Sequence, residues 1–414
     1  MVAEEALCPL DDSRRPLDSS YAGKWHAVSG SLETGESPVE RARTEVEEET
    51  GLSRSRLKLL VTGRPVLVDD AARSFKVHPF LFRLDDGGDD IRLNWENADA
   101  KWARPPFEDA LSSLACVPLL DKTLRRVTLP LPVLAAVAEL SDDRARGATH
   151  LAARALDALR AWAESPDATA GVASPDEAVS RLRDIGFALA AARPAMACVG
   201  NAVARAVAAV VVHDFGDTID DVAANVRDAA ARERGRLDAA AAAAVAHARA
   251  LLFSVERDAS SGAIDDTSNR GRVDVVVTLS SSSLVTRTLC EKNGSDKRHD
   301  RRRLKVVVSE SRPLREGVDV AARFASEGGH DVTLVTDAAL GSELLRMKKQ
   351  SCGDSSSPIS VIVLVGADAI DDGDVVNKVG TRMLALAARE AGVPFFLVST
   401  SDKAWLRKRN TTWL

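Results

Sequence analysis

The sequence predicts a multidomain protein of mixed α/β and α+β class: a small α/β unit, an all-α middle and a C-terminal parallel sheet. Three observations carry this. Residues 1 to about 125 mix short β-rich runs with one acidic helical stretch. Residues from about 126 onward are Ala-rich and place apolar residues at i, i+3 and i+4, the period of an amphipathic helix. From Arg272, short continuous apolar runs alternate with helical stretches, the pattern of strands covered on both faces. The expected domains are 1–125, 126–255 and 256–414, and 414 residues suit two or three domains.

Bulk composition narrows the function classes. Charged residues are 28% and hydrophobic residues 45%, enough to bury a core. A net charge of −6 gives no general attraction to nucleic acid, so no nucleic-acid partner is expected. Cys8, Cys116, Cys198, Cys290 and Cys352 are scattered with no C-x-x-C, which argues against a disulfide framework and a zinc site. MVAEEALCPLDD has neither the basic region nor the apolar stretch of a signal peptide. AVARAVAAVVV is short, Ala-rich and interrupted by Arg205, so it reads as buried helix and not as a membrane span. The expected setting is cytoplasmic.

In the first region, LKLLVTG and FKVHPFLFRL read as strands. Between Gly30 and them lies the acidic stretch. Ser37-Pro38-Val39-Glu40 has an N-cap residue, Pro at N1 and Glu at N3, and Gly51 supplies a C-terminal stop. The helix between them sets Glu45, Glu48 and Glu49 at i, i+3 and i+4 on one face. Three such carboxylates repel unless neutralised, and a hard divalent cation neutralises them with oxygen ligands.

The spacing of Gly30, Glu36, Thr44, Glu45, Val46, Glu48, Glu49, Gly51 and Leu52, with GKWHAVSG before it, resembles the Nudix box G-x5-E-x7-R-E-U-x-E-E-x-G-U. The resemblance implies an α/β/α sandwich, here expected to be incomplete because few residues precede the box. It also implies Mg²⁺ or Mn²⁺ held by Glu45, Glu48 and Glu49, with Glu45 and Glu48 in catalysis, and hydrolysis of a diphosphate. The sequence departs at Thr44, where the box has an Arg that holds the catalytic carboxylate. Arg43 is adjacent, but about 100° round the helix from the required place.

In the middle region, ATHLAARALDALRAWA, DEAVSRLRDIGFALAAA and DDVAANVRDAAARERGRLDAAAAAAVAHARALLF are expected helices. The polar stretch ERDASSGAIDDTSNRG is a linker. Beyond it VDVVVTLS, LKVVVSE, DVTLVTD, SVIVLVG and PFFLVST are expected strands of a parallel, Rossmann-like sheet, with ligands at their carboxyl ends. CEKNGSDKRHDRRR and KKQSCGDSSSP are expected surface loops. The basic stretch Lys297 to Lys305 is expected to be solvated.

Residues 365–405 hold G-A-D, N-K-x-G-T and G-V-P-F elements. With SESRPLREG, LVTDAALG, DRARGATHLAARAL and AARPAMACVGNAV, they resemble the family of the α, β and δ subunits of translation initiation factor 2B. That factor is a guanine nucleotide exchange factor, and the family also contains the isomerases of ribose-1,5-bisphosphate and methylthioribose-1-phosphate. The resemblance implies a pocket for a phosphorylated sugar or nucleotide, and a homodimer or factor-2B-like assembly. It places Asp368 and Ser280 at the catalytic positions of the isomerases, with serine where they carry cysteine. A hydroxyl is far less acidic than a thiol and a poor substitute in proton transfer. Asn377 and Lys378, at an expected helix opening, together with Arg146, Arg193 and Arg312, are the candidate phosphate ligands.

Three readings follow. The favoured one is a Mg²⁺-dependent hydrolase of a nucleotide or phosphosugar diphosphate, fused to a sugar-phosphate or nucleotide-binding module. The others are a non-catalytic regulatory relative of the initiation factor and a ribose-1,5-bisphosphate-type isomerase.

Overall fold

A computed structural model describes residues 5–9, 21, 23–70, 73–85, 91–103, 111–212, 218–253, 273–291, 303–353, 360–371 and 373–405. The linker ERDASSGAIDDTSNRG and most of the basic stretch from Lys297 lie outside the described residues.

In the N-terminal region, strand β1 (Glu5–Pro9) pairs antiparallel with both β2 (Trp25–Ala27) and β7 (Lys101–Ala103). Two further antiparallel pairs follow: β3 (Leu57–Thr62) with β6 (Phe80–Leu84), and β4 (Val66–Asp70) with β5 (Arg73–Val77). Helix α1 (Pro38–Thr50) starts with Pro at its first turn. Ser37 sits at the N-cap in extended backbone, but its side chain makes no capping bond. Gly51 ends the helix in the left-handed conformation (φ 71°), and its N–H donates to Glu47 O. The left-handed turn suits glycine because it has no Cβ to clash.

The middle is helical as its period predicts. After short α2 (Leu120–Arg125) come α3 (Leu131–Asp142), α4 (Ala148–Glu164), α5 (Pro175–Ala191), α6 (Ala197–Val212) and α7 (Ile219–Phe253). Ser174 caps α5, accepting from Glu177 N. The shared core includes Val133, Leu140, Leu151, Leu156, Leu182, Val203 and Leu237. Val61 of β3 and Leu81 of β6 belong to the same cluster. The N-terminal hairpin is therefore completed by the helices it rests on. Ion pairs follow this contact: Arg64 Nε to Asp184 Oδ1 at 2.7 Å, and Lys58 Nζ to Asp142 at 2.9 Å.

The C-terminal sheet has five parallel strands: β8 (Val275–Thr278), β9 (Lys305–Ser309), β10 (Asp331–Val335), β11 (Val361–Val365) and β14 (Phe395–Leu397). A small antiparallel pair, β12 (Ala369–Asp371) and β13 (Asp374–Val376), lies between β11 and β14 in the chain. The sheet order is β10-β9-β8-β11-β14. Alternate strand residues serve opposite faces. Val276, Val306, Val308, Ile362 and Leu364 meet α7, α8 (Ser283–Cys290) and α9 (Glu316–Ser326). Val275, Val277, Val307 and Val363 meet α10 (Leu340–Gly353) and α11 (Thr381–Ala391).

The structure corrects two expectations. The first half of KKQSCGDSSSP continues helix α10 as far as Gly353 instead of leaving it as a loop. Helix α11 opens at Thr381 with Gly380 as N-cap, so Asn377 and Lys378 lie in the turn before it. The turn is fixed by Thr381 N–H to Lys378 O and by Asn377 Nδ2 to Thr381 Oγ1.

Because the hairpin and helices share one core, urea unfolding of residues in both regions is expected to be a single transition. Arg64→Ala leaves Asp184 without its closest cation and is expected to cost about 3 kcal/mol. Trp fluorescence and far-UV circular dichroism should report the same midpoint; separated midpoints would show that the two regions unfold independently.

Candidate functional site

The carboxylate face of α1 is built as its spacing predicts, with unequal burial. Glu45 and Glu49 are 7% and 2% exposed, whereas Glu48 is open to solvent. Glu49 accepts from Asn97 Nδ2 at 3.0 Å and from Ser29 N–H at 3.4 Å. Burial drives its carboxyl up to about 7, more strongly than those two bonds hold it down. Burial also raises Glu45, against the pull of Arg41. Glu48 and Glu96 add negative charge that raises Glu45 further. The face is thus short of positive charge.

Gly30 reaches this face from the preceding loop. A Cβ there would lie 1.6 Å from Glu45 Oε1, so only glycine lets the loop pass so close. His26 is buried nearby, with Nδ1 near Ser29 Oγ (3.4 Å). Its Nε2 and the Oδ1 of Asn97 are both buried, and contact with Asn97 favours the charged imidazole while burial, the larger effect, opposes it. No group of three or more His, Cys, Asp or Glu side chains converges on a metal-binding point among the described residues. The donor set nevertheless suits a hard cation: buried carboxylate oxygens, one turn apart, under-neutralised.

Sequence reasoning missed Arg41, which pairs with Glu45 across one helical turn. Thr44 donates its hydroxyl to Glu40 O. Arg43 turns away: Nη1 donates to Leu57 O at 2.5 Å and its guanidinium stacks on Phe82. Arg41 was visible as an i, i+4 partner of Glu45; Asn97 and Ser29 reach the face through tertiary contact.

The second constellation lies at the carboxyl ends of the parallel strands. The strand order reverses between β8 and β11, which opens a crevice there. Ser280 follows β8 and Asp368 follows β11, so the two flank this crevice. Ser280 and Ser311 both adopt left-handed backbone (φ 67° and 59°), a conformation that costs residues with side chains on the order of 1–3 kcal/mol. They support each other: Ser280 N–H donates to Ser311 Oγ at 2.9 Å. Asp337 holds the same loop by accepting from Ser311 N–H and Arg312 N–H, both at 2.8 Å. Burial raises its carboxyl, but these bonds outweigh it and keep the group below its ordinary range.

Lys378 reaches this loop by pairing with Glu316 Oε1 at 2.5 Å. Burial raises the carboxyl of Asp368, against Lys403 and Lys378. Lys403 is itself 4% exposed and donates to Ala367 O at 2.6 Å, and burial lowers its ammonium. Asp368, Lys378, Ser280 and Asn377 are therefore gathered at one end of the sheet. Arg312 is there too, largely exposed and paired with Glu310. Arg146 pairs with Asp143 at 2.8 Å, and Arg193 Nη1 donates to Ser141 O at 3.3 Å. The loop carrying Arg146 approaches the crevice, since a Cβ on Gly147 would lie 4.0 Å from Ser281 O. Lys403 and Asp337 were not singled out from the sequence, although both follow apolar runs that end as strands.

A profile described as the initiation factor 2 subunit family matches residues 144–410. The chain belongs to the initiation factor 2 subunit family. A NUDIX domain profile matches residues 13–115, so this family member carries a Nudix domain ahead of the shared module. A putative translation initiation factor eIF-2B subunit 2-like protein of Pyrococcus abyssi is 32% identical over 66% of this chain and 80% of its own length. A methylthioribose-1-phosphate isomerase of Pelotomaculum thermopropionicum is 40% identical over 24% of this chain and 26% of its own length. The chain thus spans about a quarter of that isomerase. The solved structure of eIF2B delta from Chaetomium thermophilum superposes with a TM-score of 0.50 at 18% identity, covering 68% of this chain and 90% of that one, a likeness of fold. No helix among the described residues is long and apolar enough to cross a membrane.

Glu49 gives a pH signature. Its folded carboxyl binds a proton more tightly than the ordinary value of 4.5, up to about 7. Its contribution to stability is therefore complete below about pH 4.5 and is lost as pH rises through about 7. Glu49→Gln cannot ionise and should lack this loss. Between pH 5 and pH 8, metal-free wild type should lose up to about 3 kcal/mol relative to the variant in urea unfolding. Parallel pH slopes for the two proteins would show that Glu49 ionises without strain.

Proposed function

We propose that the Nudix domain is a divalent-metal-dependent hydrolase of a nucleotide or phosphosugar diphosphate, and that the C-terminal crevice binds a phosphorylated sugar or nucleotide without isomerising it. The observation that carries the first part is the buried pair Glu45 and Glu49, both with raised carboxyls, on one face of α1 beside Gly30. Glu45, Glu48 and Glu49 are the residues that would hold Mg²⁺ or Mn²⁺. Such an ion supplies charge stabilisation to a diphosphate and a more acidic water. The chain's own contribution is to keep these carboxylates aligned: Asn97 and Ser29 fix Glu49, and Arg41 fixes Glu45. The exposed Glu48 is the member of the trio open to an incoming substrate.

For the crevice, Lys378 offers the ammonium, and the turn before α11 lies beside it. Asp368 stands where proton transfer in an isomerase would need an acid or base, but Ser280 replaces the thiol across from it. Binding without turnover follows from that mixture. The second reading, a non-catalytic regulatory protein, is favoured by the long match to the archaeal eIF-2B-like relative compared with the short match to the isomerase. Under either reading, we expect a cytoplasmic protein that associates through its family module, as a homodimer or in a mixed assembly.

Two measurements test this. With Mg²⁺ or Mn²⁺, the full chain should release product from at least one diphosphate in a nucleotide and phosphosugar panel. The same metals should raise its Tm by mass action, and Glu48→Gln should abolish both effects. A chain with no turnover and no metal-dependent Tm shift is not a hydrolase. Lys378→Ala should weaken calorimetric binding of ribose-1,5-bisphosphate or a nucleoside monophosphate about 10- to 150-fold, the value of a charge-assisted contact. Absence of binding by wild type would leave the module to partner binding, and rapid formation of a ketose would show that Ser280 does not block isomerisation.

A further inference from the structure

Helix α1 carries arginines at 41 and 43 and threonine at 44. Each residue advances the helix by about 100°, so Arg41 and Glu45 fall one turn apart on a common face while Arg43 falls on another. The contacts follow that geometry. Arg41 Nη2 pairs with Glu45 Oε1. Arg43 is held by Leu57 O and the Phe82 ring, with Glu40 at 3.6 Å, and has no part in the carboxylate face. Thr44 is turned back on the helix by its bond to Glu40 O.

The pair is not an ordinary surface contact. The side chain of Glu45 is only 9% exposed, and that of Arg41 is 30% exposed. A buried carboxylate is costly to keep charged unless an opposite charge meets it directly. Gly30 also lies against Oε1, at a distance that excludes any Cβ. Glu45 Oε1 thus meets both the Gly30 backbone and the Arg41 guanidinium. The Nε of Arg41 is buried without a hydrogen-bond partner, and its Nη2 is the atom that meets Glu45.

We propose that Arg41 is the positioning residue for Glu45, taking from one turn upstream the role that an arginine at position 44 would serve. This rests on the hydrolase reading for its catalytic consequence and on the ion pair alone for its structural one. It also means that Thr44 does not mark an inactive site. Arginine introduced at 44 in the wild type should change little, because the carboxylate already has its partner.

The test uses the full chain as Arg41→Ala, Arg41→Lys and the double variant Arg41→Ala/Thr44→Arg, with Arg41→Gln as a second truncation if Arg41→Ala unfolds. Turnover is followed on a diphosphate that wild type hydrolyses, and Mn²⁺ binding is followed separately by electron paramagnetic resonance. Arg41→Ala should lower kcat about 10- to 150-fold with KM nearly unchanged, and should alter the spectrum of bound Mn²⁺ as Glu45 loses its fixed position. Arg41→Lys should stay close to wild type in both, and Thr44→Arg should restore a large part of both in the Arg41→Ala background. Unaltered kcat and an unaltered Mn²⁺ spectrum in Arg41→Ala, or a loss that neither lysine nor Thr44→Arg repairs, would overturn the assignment. If wild type hydrolyses nothing in the panel, the hydrolase reading fails, and the Mn²⁺ measurements still decide the role of Arg41.

Discussion

One helix belongs to two cores, and the rest of the molecule is arranged around that fact. The 35 residues of α7 extend about 50 Å at 1.5 Å per residue. Val222, Val226 and Leu237 lie in the helical core, while Ala241, Val245, Ala248 and Leu252 cover one face of the parallel sheet. An α-helix satisfies its backbone groups internally, so it can pass from one core to the next without leaving unpaired polar groups between them. A charged clasp near the crossing adds to this. Asp402, 1% exposed, receives Arg205 of α6 and Arg236 of α7, and Glu233 binds the same two arginines. Asn201 of α6 donates to the carbonyls of Asp402 and Ala404. The segment after β14, which also presents Lys403 to the crevice, is therefore fixed by the helices as well as by the sheet.

The two candidate sites solve opposite electrostatic problems. On α1, carboxylates outnumber the cations that face them, so the site holds unspent negative charge. In the crevice the charges are already matched in pairs: Lys378 with Glu316, and Arg312 with Glu310. An anion entering the crevice must compete with resident carboxylates for those cations. A cation approaching this face of α1 meets Glu45, Glu48 and Glu49, of which Glu45 alone is ion-paired among the described residues, with Arg41. The chemistry proposed for each site follows this difference in unspent charge.

Much of this was legible in the sequence because periodicity reports burial. The five apolar runs after Arg272 became five parallel strands, and the i, i+3, i+4 stretches became α4, α5 and α7. The box spacing placed Glu45 and Glu49 on one face, where burial then found them. What stayed hidden depends on tertiary approach. Val61 and Leu81 alternate like any half-buried strand, and nothing local says that helices cover them. Asn97 is 48 residues from Glu49 in the chain, and no local pattern links the two. Asn377 and Lys378 resemble a helix opening, whereas Gly380, in left-handed backbone, is the residue that lets the chain turn into α11.

The dependence of the hairpin on the helices has a consequence for biosynthesis. Arg64 precedes its partner Asp184 by 120 residues. At roughly 5–20 residues per second, the ribosome delivers that partner about 6–24 s after the arginine. For the part of that interval that follows residue 81, Val61 and Leu81 have both been made and part of their cover has not. The growing chain thus passes through a state in which a hydrophobic hairpin waits uncovered, a natural stage for a chaperone to hold it, and synthesis speed across residues 65–184 sets how long that state lasts.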